Sequence, residues 1–478
     1  AWADLELLES IVTRHHESSA FPVHLRAQNA PIEFRNMCLL ISRADNYSAA
    51  ERDDTKGSGY FRTKAQSSVF SSIKLKSETI PAPSYYKPVE FSVNNIFPQA
   101  EEKLNPRELT ALVKSFGTRM KEISEVSWPS FQTLFCHLLA CLEQFSWCLP
   151  ASTQEALPDV SLYDHLRTTA AIAGAMFKYH ESIDDFSQKE ISDDKTDKFL
   201  LLAGDLTGIQ QYIYGIANIG AGGVAKRLRA RSFYLTLITA GLAHKIVHDL
   251  DLTPANIISH SGGNFYLLLP NTQETVSYLQ ALKATIAEEF LHNYNGELFL
   301  NLSAIPFCGG DLKNYGQVLS RAGEKLSHTK LNPLSEILFQ SDGYWREDAF
   351  VLEKTTSQEY GYCCSCGRLP VTVTRGEEKL CSLCMQDINM GTVLPAARSV
   401  VFYLVQPKEG DSFHLPGGIW AMLSKKIPEI TDGVLAVYVS SEESLDDYIM
   451  FPARRVFWGS YVPASNGNVL DFDSLAGL

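Results

Sequence analysis

The sequence predicts an α+β multidomain protein in which helices lead, a sheet domain of β-α-β-β-α-β order follows, and a small cysteine-knuckle insertion precedes a strand-rich end. Three observations carry that expectation. Apolar runs of strand length alternate with long helical patterns between Phe199 and Leu302. The stretch before Phe199 repeats its apolar residues at helical spacing, and four cysteines form two C-x-x-C pairs, Cys363 with Cys366 and Cys381 with Cys384.

The sheet domain opens with Phe199-Leu200-Leu201-Leu202-Ala203-Gly204-Asp205, an apolar run that ends by delivering a carboxylate. A helical pattern spans Val224 to Leu250. Ile257-Ile258-Ser259-His260 and Phe265-Tyr266-Leu267-Leu268-Leu269 then flank Ser261-Gly262-Gly263-Asn264, which reads as a hairpin turned by glycine. A second helix fits Thr272 to His292, and Glu297 to Leu302 closes the series as a fourth strand. This is the split βαβ, ferredoxin-like plan.

Many proteins share that plan, so the fold decides no function. The position of the Gly-Gly turn is more informative, because palm domains of polymerases and nucleotidyl cyclases carry metal-binding carboxylates there and at the end of the first strand. Two magnesium ions would clamp the attacking and leaving oxygens of a phosphoryl transfer. Here the hairpin position is Asn264, and a neutral amide cannot offset two divalent cations even with Asp205 in place. Spacing alone leaves a ligand-free hairpin as an equal alternative.

Composition bounds the rest. At 478 residues, with 45% hydrophobic and 20% charged residues, the chain suits two to four ordinary globular domains. No run approaches the length of a membrane span, so no membrane partner is expected. A net charge of −13 excludes a surface that is basic throughout and confines any nucleic-acid contact to a local patch. The ten cysteines, five scattered and five clustered, suit a reducing cytoplasmic compartment.

The domain reading is 1–98 for a helical start and connector, 99–197 for a helical region, 198–358 for the sheet domain with its following helices, 359–398 for the cysteine-knuckle insertion and 399–478 for the strand-rich segment. His15 and His16, with Asp45 on a second helical pattern, are a ligand set suited to Mn, Fe or Ni, although helix-flanking histidines and a solvated aspartate fit the same residues. Thr55 to Pro98 reads as an extended connector. Asp164-His165 reads as structural, because a small-residue helix follows it. Gly220 to Gly223 leads into Lys226, Arg227, Arg229 and Arg231, where a helix start and added cations suit a phosphate. Asp311 is expected to cap a helix from Leu312 to Leu326. The two C-x-x-C knuckles, separated by fourteen residues, supply four thiolates for a closed structural zinc site, with Cys364 outside both. Three strands are expected after Ser399: Val400–Val405, Gly433–Val439 and Arg455–Val462.

Three long stretches carry a family resemblance. Gly204-Asp205-Leu206-Thr207-Gly208-Ile209-Gln210-Gln211, Lys226-Arg227-Leu228-Arg229-Ala230-Arg231-Ser232-Phe233-Tyr234-Leu235 and Ser261 to Pro270 resemble the first palm of the large subunit of type III-A (Csm-type) CRISPR effector complexes. Ile11 to His16 and Ala44 to Asp54 are similar to the back half of that family's HD nuclease domain, and Asp159 to Ala170 to another family stretch. The resemblance implies an HD-like N-terminal domain, a palm and a zinc ribbon. It places the naming His-Asp dipeptide and a second palm with Gly-Gly-Asp-Asp outside this chain.

The function it implies is a target-RNA-activated single-stranded DNA nuclease and cyclic oligoadenylate synthase. The partners would be crRNA, target RNA, single-stranded DNA and the other effector subunits. ATP would meet Ser261, Gly262, Gly263, Asn264 and Asp205, with Mg or Mn at the complete palm pair, Mn or Ni at a complete HD site, and structural Zn. A non-catalytic scaffold that binds nucleotide or RNA is the alternative.

Overall fold

The computed structural model describes residues 4–17, 21–51, 63–73, 82–155, 157–215, 224–339, 343–346, 361–408, 410, 412–429, 432–440, 443–458, 464–465 and 468–469. Gly220 to Gly223, Asp53, Asp54 and the chain beyond Trp458, apart from two short strand pieces, lie outside them.

The helices of the first half begin where capping side chains meet unpaired backbone N–H groups. Asp4 caps α1 (Leu5–Thr13), Asn105 caps α3 (Pro106–Glu125) with proline at its first position, and Ser130 caps α4 (Phe131–Ser146). Ser161 caps α5 (Leu162–Ser182), accepting from the Asp164 N–H at 3.0 Å and donating to its carboxylate at 2.7 Å. Between them, α2 (Arg35–Ser48) packs along α5, and a short α6 (Gln188–Ser192) follows. Residues 82–98 run extended across this region, with Val89 O accepting from the Trp147 indole at 3.0 Å and Phe91 N donating to Gln144 O.

The central sheet is antiparallel in the order β2-β3-β1-β4, built from β1 (Phe199–Thr207), β2 (Ile257–Ser261), β3 (Asn264–Pro270) and β4 (Phe299–Phe307). Strand period splits its apolar residues between two cores. Leu200, Leu202, Leu206, Phe265 and Leu267 face α8 (Val224–Asp249) and α9 (Gln273–Tyr294). Phe199, Leu201, Leu268, Ile305 and Phe307 face α2, α5 and α10 (Tyr315–Lys330).

Three boundaries differ from the sequence expectation. The fourth strand runs Phe299–Phe307 rather than Glu297–Leu302, because Asn295 and Gly296 take positive φ to end α9 and the strand then pairs along all of β1. A short α7 (Ile209–Tyr214) follows β1, entered through Gly208 at φ 93°, where a Cβ would meet the Glu297 carbonyl. Asp311 accepts from the Cys308 N–H inside a 3₁₀ turn, and α10 begins at Tyr315 rather than Leu312.

After the one-turn α11 (Ser335–Leu338), the cysteine region forms a hairpin of β5 (Val373–Arg375) and β6 (Glu378–Leu380) and then α12 (Ser382–Val393). A second sheet follows in the order β11-β10-β7-β9-β8: β7 (Ser399–Tyr403), β8 (Ser412–Leu415), β9 (Ile419–Ser424), β10 (Val434–Ser440) and β11 (Ala453–Val456). Phe402, Phe413, Leu415 and Ile419 of this sheet join the core around α8, so one helix joins both sheets.

Candidate functional site

The strongest concentration of functional geometry lies where β1 ends beside the β2–β3 turn. Gly262 and Gly263 turn the hairpin at φ 59° and 110°, values side chains resist, and a Cβ on Gly263 would meet the Ile209 side chain at 2.6 Å. The Leu206 N–H donates to Gly263 O at 2.8 Å, which ties the turn to β1. Ser261, Gly262 and Asn264 are exposed and Gly263 is buried. Gly204 has no side chain because the Phe265 ring occupies the place of its Cβ, within 2.3 Å.

Register places Asp205 directly between Asn264 on β3 and Asn301 on β4. Paired residues share a sheet face, so one carboxylate is flanked by two amides. Asn301 donates to the Asp205 carbonyl at 3.2 Å and to Thr207 Oγ1 at 2.8 Å. The carboxylate itself pairs with Lys330 at the C-terminal end of α10, Nζ to Oδ2 2.7 Å. An ammonium therefore occupies the charge position that a divalent ion would need, a partner that sequence spacing could not reveal.

Behind the hairpin, His260 contacts the Tyr438 hydroxyl at 3.0 Å through Nε2, and that hydroxyl also contacts His244 Nε2 at 3.0 Å. Burial, with the nearby charges of Arg454 and Arg167 adding to it, pushes His260 down to about 4. His244 is driven well below the usual imidazole range, chiefly by burial. Both rings are neutral near pH 7 and anchor the turn's first strand to β10.

The expectation that Lys226 and Arg227 hold phosphate fails at Arg227. Its guanidinium is fully buried, donating to Ser365 Oγ at 2.7 Å and lying 3.5 Å from Glu378. Arg229 reaches the Gly391 carbonyl, and Arg231 pairs with buried Asp387 at 2.7 Å. These cations face the cysteine region because α12 packs along α8; only Lys226 of the expected pair is exposed.

Cys363, Cys366, Cys381 and Cys384 are all buried, with their sulfurs within 4.8 Å of one another. Cys364 is exposed and outside the group. The Ser365 and Cys384 N–H groups each point at a cysteine sulfur at 3.4 Å, and Arg231 reaches Cys384 Sγ at 3.7 Å. N–H and guanidinium donors around four sulfurs stabilise thiolates, so the donor set fits a closed tetrahedral metal site compatible with zinc.

His15, His16 and Asp45 do not form a shared metal-ligand group in the described structure. His15 Nδ1 turns to the carbonyls of Ile11 and Val12, and His16 stacks on Phe21 with centroids 3.8 Å apart. Asp45 is taken by His165, Oδ1 to Nε2 2.9 Å, while Ser48 holds the other ring nitrogen at 3.0 Å. Burial would lift the Asp45 carboxyl, but the hydrogen bond and charge of His165, aided by His15 and His16, outweigh it and hold it below the usual range. Burial and the charge of His15 lower His16, against an opposing pull from Asp45. His165 was read from the sequence as structural, but its partner on a helix 120 residues away was not legible there.

The fold and site define an α+β protein with a glycine-turned hairpin beside a lysine-paired aspartate and a separate tetracysteine centre. Residues 198–342 match the family model described as Csm1 subunit domain B. The chain is related to the large subunit of type III-A CRISPR effector complexes. It is 30% identical over 270 residues to the single-strand-specific deoxyribonuclease Cas10/Csm1 (subtype III-A) of Thermococcus onnurineus, covering 54% of this chain and 33% of that protein. The Mycobacterium tuberculosis protein of the same description is 31% identical over 302 residues, 60% of this chain and 37% of its own length. A Csm1-Csm4 subcomplex from a type III-A interference complex superposes with TM-score 0.67 at 22% identity, over 93% of this chain and 52% of that one. Csm1-Csm4 cassettes solved with cA3 and with one ATP give TM-scores of 0.65 and 0.64 at 21% and 22% identity, covering 92% of this chain and 51% of each. The matched regions span between a third and about half the length of these relatives. Among the described residues no helix is long and apolar enough to cross a membrane.

Proposed function

We propose that this chain acts in the large subunit of a type III-A CRISPR RNA-guided interference complex, and that its central sheet is a ferredoxin-like palm that holds ATP for cyclic oligoadenylate synthesis without performing the bond-forming step. The pairing of Asp205 with Lys330, opposite the neutral Asn264, carries this reading. Two-metal phosphoryl transfer needs several anionic oxygens converging on two cations, and this strand end offers one carboxylate already neutralised. The exposed turn Ser261 to Asn264 presents backbone and small polar side chains to a nucleotide, with Lys330 supplying positive charge beside it. Catalytic carboxylates and their Mg or Mn would come from a second palm.

In the same reading the tetracysteine centre binds structural zinc and fastens α12 to α8. The single-stranded DNA nuclease would need Mn or Ni ligands beyond His15, His16 and Asp45, since His165 holds Asp45. Guide crRNA, target RNA and the other effector subunits would be its cytoplasmic partners. The test incubates the purified chain with ATP, Mg²⁺, guide RNA and target RNA. ATP binding that weakens in Ser261→Ala and Asn264→Ala, with no oligoadenylate made, is expected. Abundant oligoadenylate from this polypeptide alone would overturn the reading.

A further inference from the structure

A cavity of about 550 Å³ opens between α3, α4 and β11, on the helical side of the molecule and separate from the hairpin residues. That volume is in the range of small-ligand sites. Its charged residues are unevenly satisfied. Arg119 pairs with Asp446 at 2.6 Å and with Glu122 at 3.1 Å, and Glu90 accepts from the Gln144 amide at 2.9 Å. Lys114 and Arg455 also line the cavity, but neither has an anionic partner within ion-pair distance among the described residues, and Arg455 Nε is buried without a hydrogen bond. Two cations thus remain against one carboxylate that is already hydrogen-bonded.

The back wall is more specific. His137 is 2% exposed, and its Nε2 meets the carbonyls of Tyr448 at 3.3 Å and Phe451 at 3.2 Å. Two acceptors require Nε2 to carry the proton. Burial lowers the pKa of His137, so the ring stays neutral and Nδ1 is a lone-pair acceptor, buried and without a partner among the described residues. An unmet acceptor at this depth calls for a hydroxyl or N–H from whatever enters. Ser115, Thr118 and Gln144 add polar groups, and Phe145 and Cys141 an apolar wall.

We propose that this cavity binds a sugar phosphate of nucleotide size, with the phosphate taken by Arg455 and Lys114 and a sugar hydroxyl donating to His137 Nδ1. A free nucleotide and one unit of a single-stranded RNA share that chemistry. Binding of ribose 5-phosphate, AMP and an oligoadenylate RNA is measured by calorimetry on the full chain, in wild type, Arg455→Gln, Lys114→Gln and Lys226→Gln. Each of the first two variants lowers affinity for ribose 5-phosphate at least about tenfold, while Lys226→Gln leaves it unchanged, which separates this cavity from the palm. If AMP and RNA both lose affinity in Arg455→Gln, the site takes free nucleotides; if RNA alone binds and loses it, the site reads a strand. No binding of any probe at about 1 mM, or affinities unchanged in Arg455→Gln and Lys114→Gln proteins that melt like wild type, overturns the proposal.

Discussion

Lys330 Nζ lies 2.7 Å from Asp205 Oδ2, which joins the end of α10 to the end of the first sheet strand. A cation at a helix C-terminus is favourable in itself, and here it also neutralises the one acid beside the glycine turn. Removing it should return a bare carboxylate to that position. Lys330→Met is expected to gain a weak Mn²⁺ site, with Kd on the order of 1 mM as suits a site with few acidic ligands. The gain should vanish in Lys330→Met/Asp205→Asn. Electron paramagnetic resonance of Mn²⁺ titrations reads it, and equal Mn²⁺ binding by wild type and Lys330→Met would refute the neutralisation.

The four clustered sulfurs predict one tightly held zinc per chain. Cys384→Ser should abolish it and Cys364→Ser should leave it, because Cys364 is exposed and outside the group. Elemental analysis of the purified proteins measures both. Structural zinc contributes on the order of 10 kcal/mol in small knuckles, so a chelator should release α12 from α8. Faster proteolysis between Cys363 and Val393 would report that release.

Arg231 connects this centre to the long helix through Asp387, the Tyr212 carbonyl and Cys384 Sγ. Its truncation leaves the buried Asp387 charge unpaired, a loss of about 3–5 kcal/mol. Arg231→Ala should therefore lower the melting temperature and hasten zinc loss to a chelator, whereas exposed Lys226→Ala should do neither. A melting temperature equal to wild type in Arg231→Ala would contradict the ion pair's role.

What could be read from the chain follows the range of each physical signal. Strand and helix order from Phe199 onward was legible because apolar period is local, and Cys363, Cys366, Cys381 and Cys384 were legible because knuckle spacing is local too. The partners of charged groups were not. Arg227 has the same sequence context whether it faces phosphate or Ser365, and only the docking of α12 on α8 decides. Lys330 lies 125 residues from Asp205, and His165 lies 120 from Asp45, so neither pair leaves a trace in spacing. Asp311 misled because a 3₁₀ turn and a helix start share the same capping chemistry.

The histidines behind the hairpin give a pH dependence with a definite sign. His260 titrates at about 4 in the folded chain, against an ordinary value near 6.5, because burial and the charges of Arg454 and Arg167 disfavour its cation. Between those values the unfolded chain binds a proton that the folded chain does not, so stability falls as pH drops from about 6.5 to about 4. The span corresponds to roughly 3 kcal/mol for His260, with His244 adding in the same direction. Its cause is specific to the ring pair on the Tyr438 hydroxyl. His260→Gln keeps a hydrogen-bonding side chain and cannot ionise, so its urea midpoint should decline less than that of wild type over this window. Parallel pH profiles for the two proteins would show that another group sets the acid limit.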